Sequence, residues 1–459
     1  MDFHTTQRNK RKGILGEVHG LGKKILKHLC TEVIERLAVK SGFCKRRSKL
    51  DALSFLKLVL FDPLSTEQPS LEQHCISLEE DRGKRVCKQA VNRRFNDRAV
   101  VFIQTLFEHY LQNQFLSKKL SSGFSDRFSS IRLMDSTEFK LPKDLAADFP
   151  GFKGAGTESC TQIQFEYDIL SGKIIDLSLG DARIADSAYA QPLLVNVQRK
   201  DLIIRDLGYS KIDSFKEVES RGAYYISRLN PNITLYERRG KDLVPLSYKT
   251  ILQRLKGSTK KYLEMPVYLG GDANYEVRLT ANRLTPEAVE RRLRKKIYRK
   301  NKKPETYSYL KEMNLFITNV PKKMLSANEI YGLYRVRWQI ELIFKTWKSV
   351  LKIDQVRKMK ADRFRCYLLG RLLWVVLNWE ICSVFNAYLN QSESILVSFY
   401  KCFTIIKQRV RSLEYILLHR KAKLKEWLLT LFDIISRFGI KEHRRGRAAV
   451  INLLALNGK

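Results

Sequence analysis

The stretch Tyr334 to Lys348, Y-R-V-R-W-Q-I-E-L-I-F-K-T-W-K, constrains the fold of this chain more than any other. At about 100° per residue it patterns as one amphipathic helix, with Tyr334, Arg337, Glu341 and Lys348 inside an arc of roughly 60°. Val336, Ile340, Ile343, Phe344, Trp347, Val350 and Leu351 fill an adjoining stripe about 120° wide that is suited to burial against a sheet. One carboxylate therefore stands beside a core, among two cations and a phenol. Ser326 and Glu329 read as a capping box that starts the helix upstream, although Gly332 inside it costs about 1 kcal/mol. From geometry alone, a solvated charged face explains the same residues equally well.

Histidine is missing from the whole stretch between His109 and His419. A catalytic site there cannot use a Ser-His pair, a histidine-ligated zinc or a histidine general base. Carboxylates must carry any chemistry, which points to hard cations such as Mg2+ or Mn2+. The eight cysteines are scattered without a C-x2-C pair, which suits a reducing cytosol and argues against a structural zinc site. Lys and Arg outnumber Asp and Glu by 84 to 48, a net charge of +36, so the partner class is polyanionic, most simply DNA or RNA. A ribosome-associated or membrane-surface protein shares that charge, so it names no reaction. The start, M-D-F-H-T-T-Q-R-N-K-R-K-G, has no apolar stretch and is not a secretory signal. The most apolar run, Tyr367 to Leu389, is interrupted by Arg371, Asn378 and Glu380, as a core helix rather than a membrane span would be. A cytoplasmic protein with no membrane partner is the expectation.

At 459 residues the chain is long enough for about three domains. Residues 1–122 read as helical and DNA-binding. Within them Gly83 separates two helical patterns between Ser77 and Phe95, and the second would present Lys84, Arg85, Lys88, Gln89, Asn92 and Arg93. A helix-turn-helix and a basic solvated helix both fit, with Lys45, Arg46, Arg47 and Lys49 as further phosphate contacts. From about residue 128 the period becomes strand-like: S-I-R-L-M ends at Asp135, and Thr161–Leu170 and Lys173–Leu179 form a hairpin through Ser171-Gly172. A helix over Asp186–Arg199, the strand D-L-I-I-R ending at Asp206, a helix near Ser214–Ser220 and the strand Ala223-Y-Y-I-S-R follow.

Strand, hairpin, helix, strand, helix, strand is the order of an RNase H-like core, in which the first and fourth strands run side by side in parallel. Asp135 and Asp206, each expected at the C-terminal end of its strand, would then meet at one sheet edge. The predicted fold class is α/β, an RNase H-like catalytic core over residues 123–230 and 323–365. A β-rich insertion over 231–322 interrupts it, and a helical C-terminal region over 366–459 serves DNA binding or dimerisation. Inside the insertion the basic stretch Arg291 to Lys303 reads as a solvated helix or arm that touches DNA.

The spacing Y-x2-R-x3-E-x6-K, here Tyr334, Arg337, Glu341 and Lys348, resembles the Tyr-Arg-Glu-Lys signature of bacterial insertion-sequence transposases of the DDE class, the insertion sequence four family. The resemblance covers most of residues 130–350 in order. It implies that Asp135, Asp206 and Glu341 are the catalytic and metal-binding acids, holding two Mg2+ ions about 3.5 to 4 Å apart, with Mn2+ as a substitute. It also implies DNA contacts for Tyr334, Arg337 and Lys348, and for Trp338 the stacking of an end base, with burial in a core as the alternative. Arg228, Lys88 and Arg93 are further DNA-binding candidates.

The function expected from the resemblance is excision and strand transfer of an insertion sequence. It acts on double-stranded DNA, both terminal inverted repeats and target, as a homodimer, with a hairpin intermediate as one route. A non-catalytic DNA-binding derivative of such an enzyme and an RNase H-like nuclease are the alternatives.

Overall fold

A computed structural model describes residues 3–46, 48–66, 68–116, 119, 123–152, 158–260, 262–271, 275–296 and 309–442. Arg47 and most of the basic stretch Arg291 to Lys303 lie outside these residues. The described residues form two units, one within Met1–Ser121, Ser136–Arg183 and Glu341–Arg445, the other within Ser122–Asp135 and Ile184–Ile340. Helices and a large sheet make the protein mixed α/β. Among the described residues the strands are β1 (Ser130–Lys140), β2 (Cys160–Asp168), β3 (Ile174–Gly180), β4 (Asp201–Arg205) and β5 (Tyr224–Arg228), then β6 (Leu235–Arg239), β7 (Asp242–Pro245), β8 (Tyr262–Leu269), β9 (Tyr275–Arg283) and β10 (Met313–Thr318).

In the second unit the strand order is β1-β4-β5-β10-β9-β8-β6-β7. Strands β1, β4 and β5 run parallel, and β10 joins β5 and β9 antiparallel to both. All five residues of β4 are buried, as expected for D-L-I-I-R in a parallel strand covered on both faces. Helix Ile212–Ser220 connects β4 to β5 and packs Phe215 on Tyr225, with ring centroids 4.4 Å apart. One buried cluster runs from Ile203 and Tyr225 through Leu235, Val267 and Leu279 to Ile317, so β6 to β10 extend the sheet and share its core. Arg292, at the start of the expected basic arm, is drawn inward and donates to the main-chain carbonyls of Leu310 and Met313.

The first unit is mainly helical, with β3, β2 and the second half of β1 side by side. The β2–β3 hairpin turns where sequence places it, because Gly172 has φ 71° and the Asp168 carboxylate accepts from the N–H groups of Leu170 and Ser171. Helix Ala361–Glu393, 33 residues long, is apolar enough to cross a membrane, yet its whole apolar window is buried inside the protein. Each of the polar residues that interrupt its run finds at least one hydrogen-bond partner there. Asn378 donates to the Trp374 carbonyl, Arg371 to that of Lys352, and Glu380 accepts from Lys24, Tyr110 and the Phe115 N–H. Burial lowers the Lys24 ammonium pKa to about 8 against the opposing pull of Glu380.

The segment around Gly83 departs from the expected pair of helices. Helix Leu71–Arg82 opens with a Ser70–Gln73 capping box and ends at Gly83 in the left-handed region. The next helix starts only at Lys88, so Lys84 and Arg85 stand on the extended connection rather than on a recognition helix. Lys84 pairs with Asp51 and Arg85 with Glu79.

Candidate active site

Strand pairing sets the position of the two aspartates. Ser130 to Met134 of β1 lie in register with Asp201 to Arg205 of β4, so Asp135 and Asp206 are the next residue of each parallel strand. Asp206 leaves β4 and precedes the short 3-10 turn Leu207–Tyr209. Asp135 does not end its strand, contrary to expectation. β1 runs on to Lys140 because Thr137 and Phe139 continue the buried alternation after β4 has ended. Asp135 thus sits where β1 loses its β4 neighbour.

The Tyr-Arg-Glu-Lys stretch is two helices rather than one. Helix Ala327–Val336, opened by the Ser326–Glu329 capping box, stops at Arg337, and helix Trp338–Leu351 begins immediately after it. Arg337 itself keeps right-handed helical angles, φ −48° and ψ −34°. Upstream, Arg127 donates to Glu329 at 2.6 Å and to the Met324 carbonyl at 2.9 Å, which anchors the start of the first helix. No motif marked Arg127, an isolated cation before β1.

Tyr334 and Arg337 converge on the aspartates. The Arg337 Nη1 donates to Asp135 Oδ2 at 2.8 Å, and its Nε lies 3.8 Å from Asp206 Oδ1. The Tyr334 hydroxyl donates to the same Asp206 oxygen at 3.2 Å, and its ring packs on Phe316 of β10 at 4.9 Å. Burial, reinforced by the Asp206 charge, holds the Tyr334 phenol well above its usual value, against the opposing pull of Arg337 and Arg228. Arg228, half-buried at the end of β5, is therefore an electrostatic neighbour of this group. The two carboxylates face one shared cation, with oxygen donors of the kind hard divalent ions take. Among the described residues no three His, Cys, Asp or Glu side chains form a ready-made metal cluster.

Glu341, half-buried, is in the first turn of helix Trp338–Leu351 and belongs to the first unit, as does Lys348, whose Nζ donates to the Glu138 carbonyl at 3.0 Å. Trp347 is fully buried with its ring 5.0 Å from that of Phe165, whereas Trp338 is 50% exposed, so burial in a core does not describe it. Lys88 and Arg93 are both exposed on helix Lys88–Arg94, and Lys88 pairs with Glu72.

Comparison with known proteins joins these residues to a family. The family described as Transposase DDE domain matches residues 126–377, more than half of the chain. The transposase for insertion sequence element IS231B of Bacillus thuringiensis subsp. berliner is 29% identical over 96% of both chains, and that of IS231E from subsp. finitimus is also 29% identical over 96% of both. The transposase for IS1151 of Clostridium perfringens is 28% identical over 95% of this chain and 96% of its own. The matched span contains both aspartates, the Arg337 bridge and Glu341, and the chain belongs to the DDE-domain transposases of bacterial insertion sequences.

Proposed function

We propose that the chain excises and inserts its element through Asp135, Asp206 and Glu341, acting on terminal inverted repeats, and that it is a Tyr-Arg-Glu-Lys member of the insertion sequence four family. The observation that carries this is the Asp135–Arg337–Asp206 bridge, where the parallel pairing of β1 with β4 stops. Strands β1 to β5 then constitute an RNase H-like core. Two carboxylates focused on one cation fit a divalent metal. Asp135, Asp206 and Glu341 would hold Mg2+ or Mn2+, which would supply an activated nucleophile and offset charge on the leaving oxygen.

The remaining steps fall to the chain's own side chains. A guanidinium carries five N–H donors, so Arg337 can hold a carboxylate and a strand phosphate together. Tyr334 stays protonated near neutral pH and keeps a donor beside Asp206. Lys348 contributes a further charge for the strand. Trp338, exposed next to Arg337, offers a stacking face for an end base, the contact a hairpin route uses. Holding two element ends at once calls for two copies of the chain.

The test is incubation of the purified protein with a duplex bearing the terminal repeat of its own element, in Mg2+ or Mn2+, with Ca2+ as control. Nicking at the repeat boundary in Mg2+ or Mn2+ is expected, and a hairpin end would show the hairpin route. Cleavage indifferent to the repeat would favour a general nuclease, and tight binding without cleavage a non-catalytic derivative.

A further inference from the structure

In the helical unit many basic side chains are already matched to carboxylates: Lys84 with Asp51, Arg85 with Glu79, Lys88 with Glu72, Lys358 with Asp144 and Arg365 with Asp148. The turn between helices Val410–His419 and Leu424–Phe438 differs. It gathers His419, Arg420, Lys421, Lys423 and Lys425 within H-R-K-A-K-L-K, followed by the single acid Glu426. His419, Arg420, Lys423 and Lys425 are exposed. Among the described residues Arg420 and Lys425 have no carboxylate partner. Lys423 meets Glu426 at 3.3 Å, but both side chains are largely in solvent, where such a pair contributes little.

This charge is presented on a fixed support. Leu413, Leu417, Leu424 and Leu428 are buried beneath the turn, Trp427 Nε1 donates to Ser412 Oγ at 3.0 Å across the two helices, and the Lys423 N–H closes the turn on the Arg420 carbonyl at 2.8 Å. Beside it Tyr415 is 52% exposed, with its ring 5.4 Å from that of His419, adding a hydroxyl donor and an aromatic face to the cations. Arg420, Lys423 and Lys425, with the half-buried Lys421 that also faces Glu32, make a cationic corner of the kind that binds phosphates, releasing counterions from the nucleic acid.

We propose that this turn, with Tyr415, is a second contact for duplex DNA, made by residues other than those of the candidate active site, and that it grips the phosphate backbone without reading sequence. It rests on the chain acting on DNA as a transposase. The contribution of its cations is electrostatic, so salt dependence is its signature.

The test measures binding of the full chain to a fluorescent duplex of scrambled sequence over a KCl series. In the Arg420→Gln/Lys421→Gln/Lys425→Gln variant the slope of log K against log salt should flatten by about three, with at least a tenfold loss of affinity at low salt. The charge-retaining variant Arg420→Lys/Lys421→Arg/Lys425→Arg should keep the wild-type slope. An unchanged slope in the glutamine variant overturns the proposal, as does equal flattening in the charge-retaining one, which would mark a structural effect. A wild type that binds no duplex would overturn this surface together with the transposase reading.

Discussion

Arg337 donates to Asp135 at 2.8 Å while the same guanidinium stands 3.8 Å from Asp206, so one cation is shared by two aspartates that directly follow the paired segments of adjacent parallel strands. Like charges on neighbouring strands repel, and removing the cation between them strengthens that repulsion. Arg337→Gln is expected to destabilise the metal-free protein by about 1–3 kcal/mol, the scale of a hydrogen bond to a charged group. Mg2+ should then raise the melting temperature of the variant more than that of wild type. Equal Mg2+ shifts in the two proteins would argue against a shared cation site at the aspartates.

Tyr334 supplies a pH test. Its folded-state pKa is raised, by burial first and the Asp206 charge second, so its contribution to stability is complete below the unfolded value of about 10 and is lost as pH rises towards the folded value. Tyr334→Phe removes that component together with the hydrogen bond to Asp206, a loss of about 0.5–1.5 kcal/mol at neutral pH. Urea denaturation at pH 8 and pH 11 should therefore show a wild-type advantage that shrinks at the higher pH. A constant difference would place the phenol outside this linkage.

The two tryptophans of helix Trp338–Leu351 should behave in opposite ways. Trp347, fully buried against Phe165 and Phe344, is expected to cost about 3–5 kcal/mol when replaced by alanine. Trp338→Ala, at a half-exposed position, should change stability by less than about 0.5 kcal/mol while slowing processing of the DNA end. Chemical denaturation and end cleavage on the same preparations separate the two effects. Wild-type cleavage by Trp338→Ala would remove the stacking role.

Much of this arrangement was legible where the signal is local. The unbroken run D-L-I-I-R marked a strand buried on both faces, Ser171-Gly172 marked a hairpin, and Val336 through Leu351 marked a buried stripe, all of whose members are buried. The break at Arg337 was hidden because the residue keeps helical angles and Y-R-V-R-W contains no Gly or Pro to interrupt the period. The length of β1 was readable in principle from Thr137 and Phe139, but Asp135 drew the boundary too early. Non-local choices left no mark: nothing in M-N-L-F-I-T says that β10 lies between β5 and β9, and nothing in Lys348 names the Glu138 carbonyl. The cation between Asp135 and Asp206 became visible only once both strands and the helix preceding Arg337 were placed together.

The joint role of Asp135, Asp206 and Glu341 as the acids of strand cleavage is the core of the proposed function. Its most direct measurement compares wild type with Asp135→Asn, Asp206→Asn and Glu341→Gln on the terminal-repeat duplex, reading Mg2+-dependent cleavage and DNA binding on the same samples. All three variants are expected to bind the duplex and to lose cleavage by at least a thousandfold, about 4 kcal/mol of barrier. Near-normal cleavage by any one of them, with binding intact, would contradict its assignment as a catalytic acid.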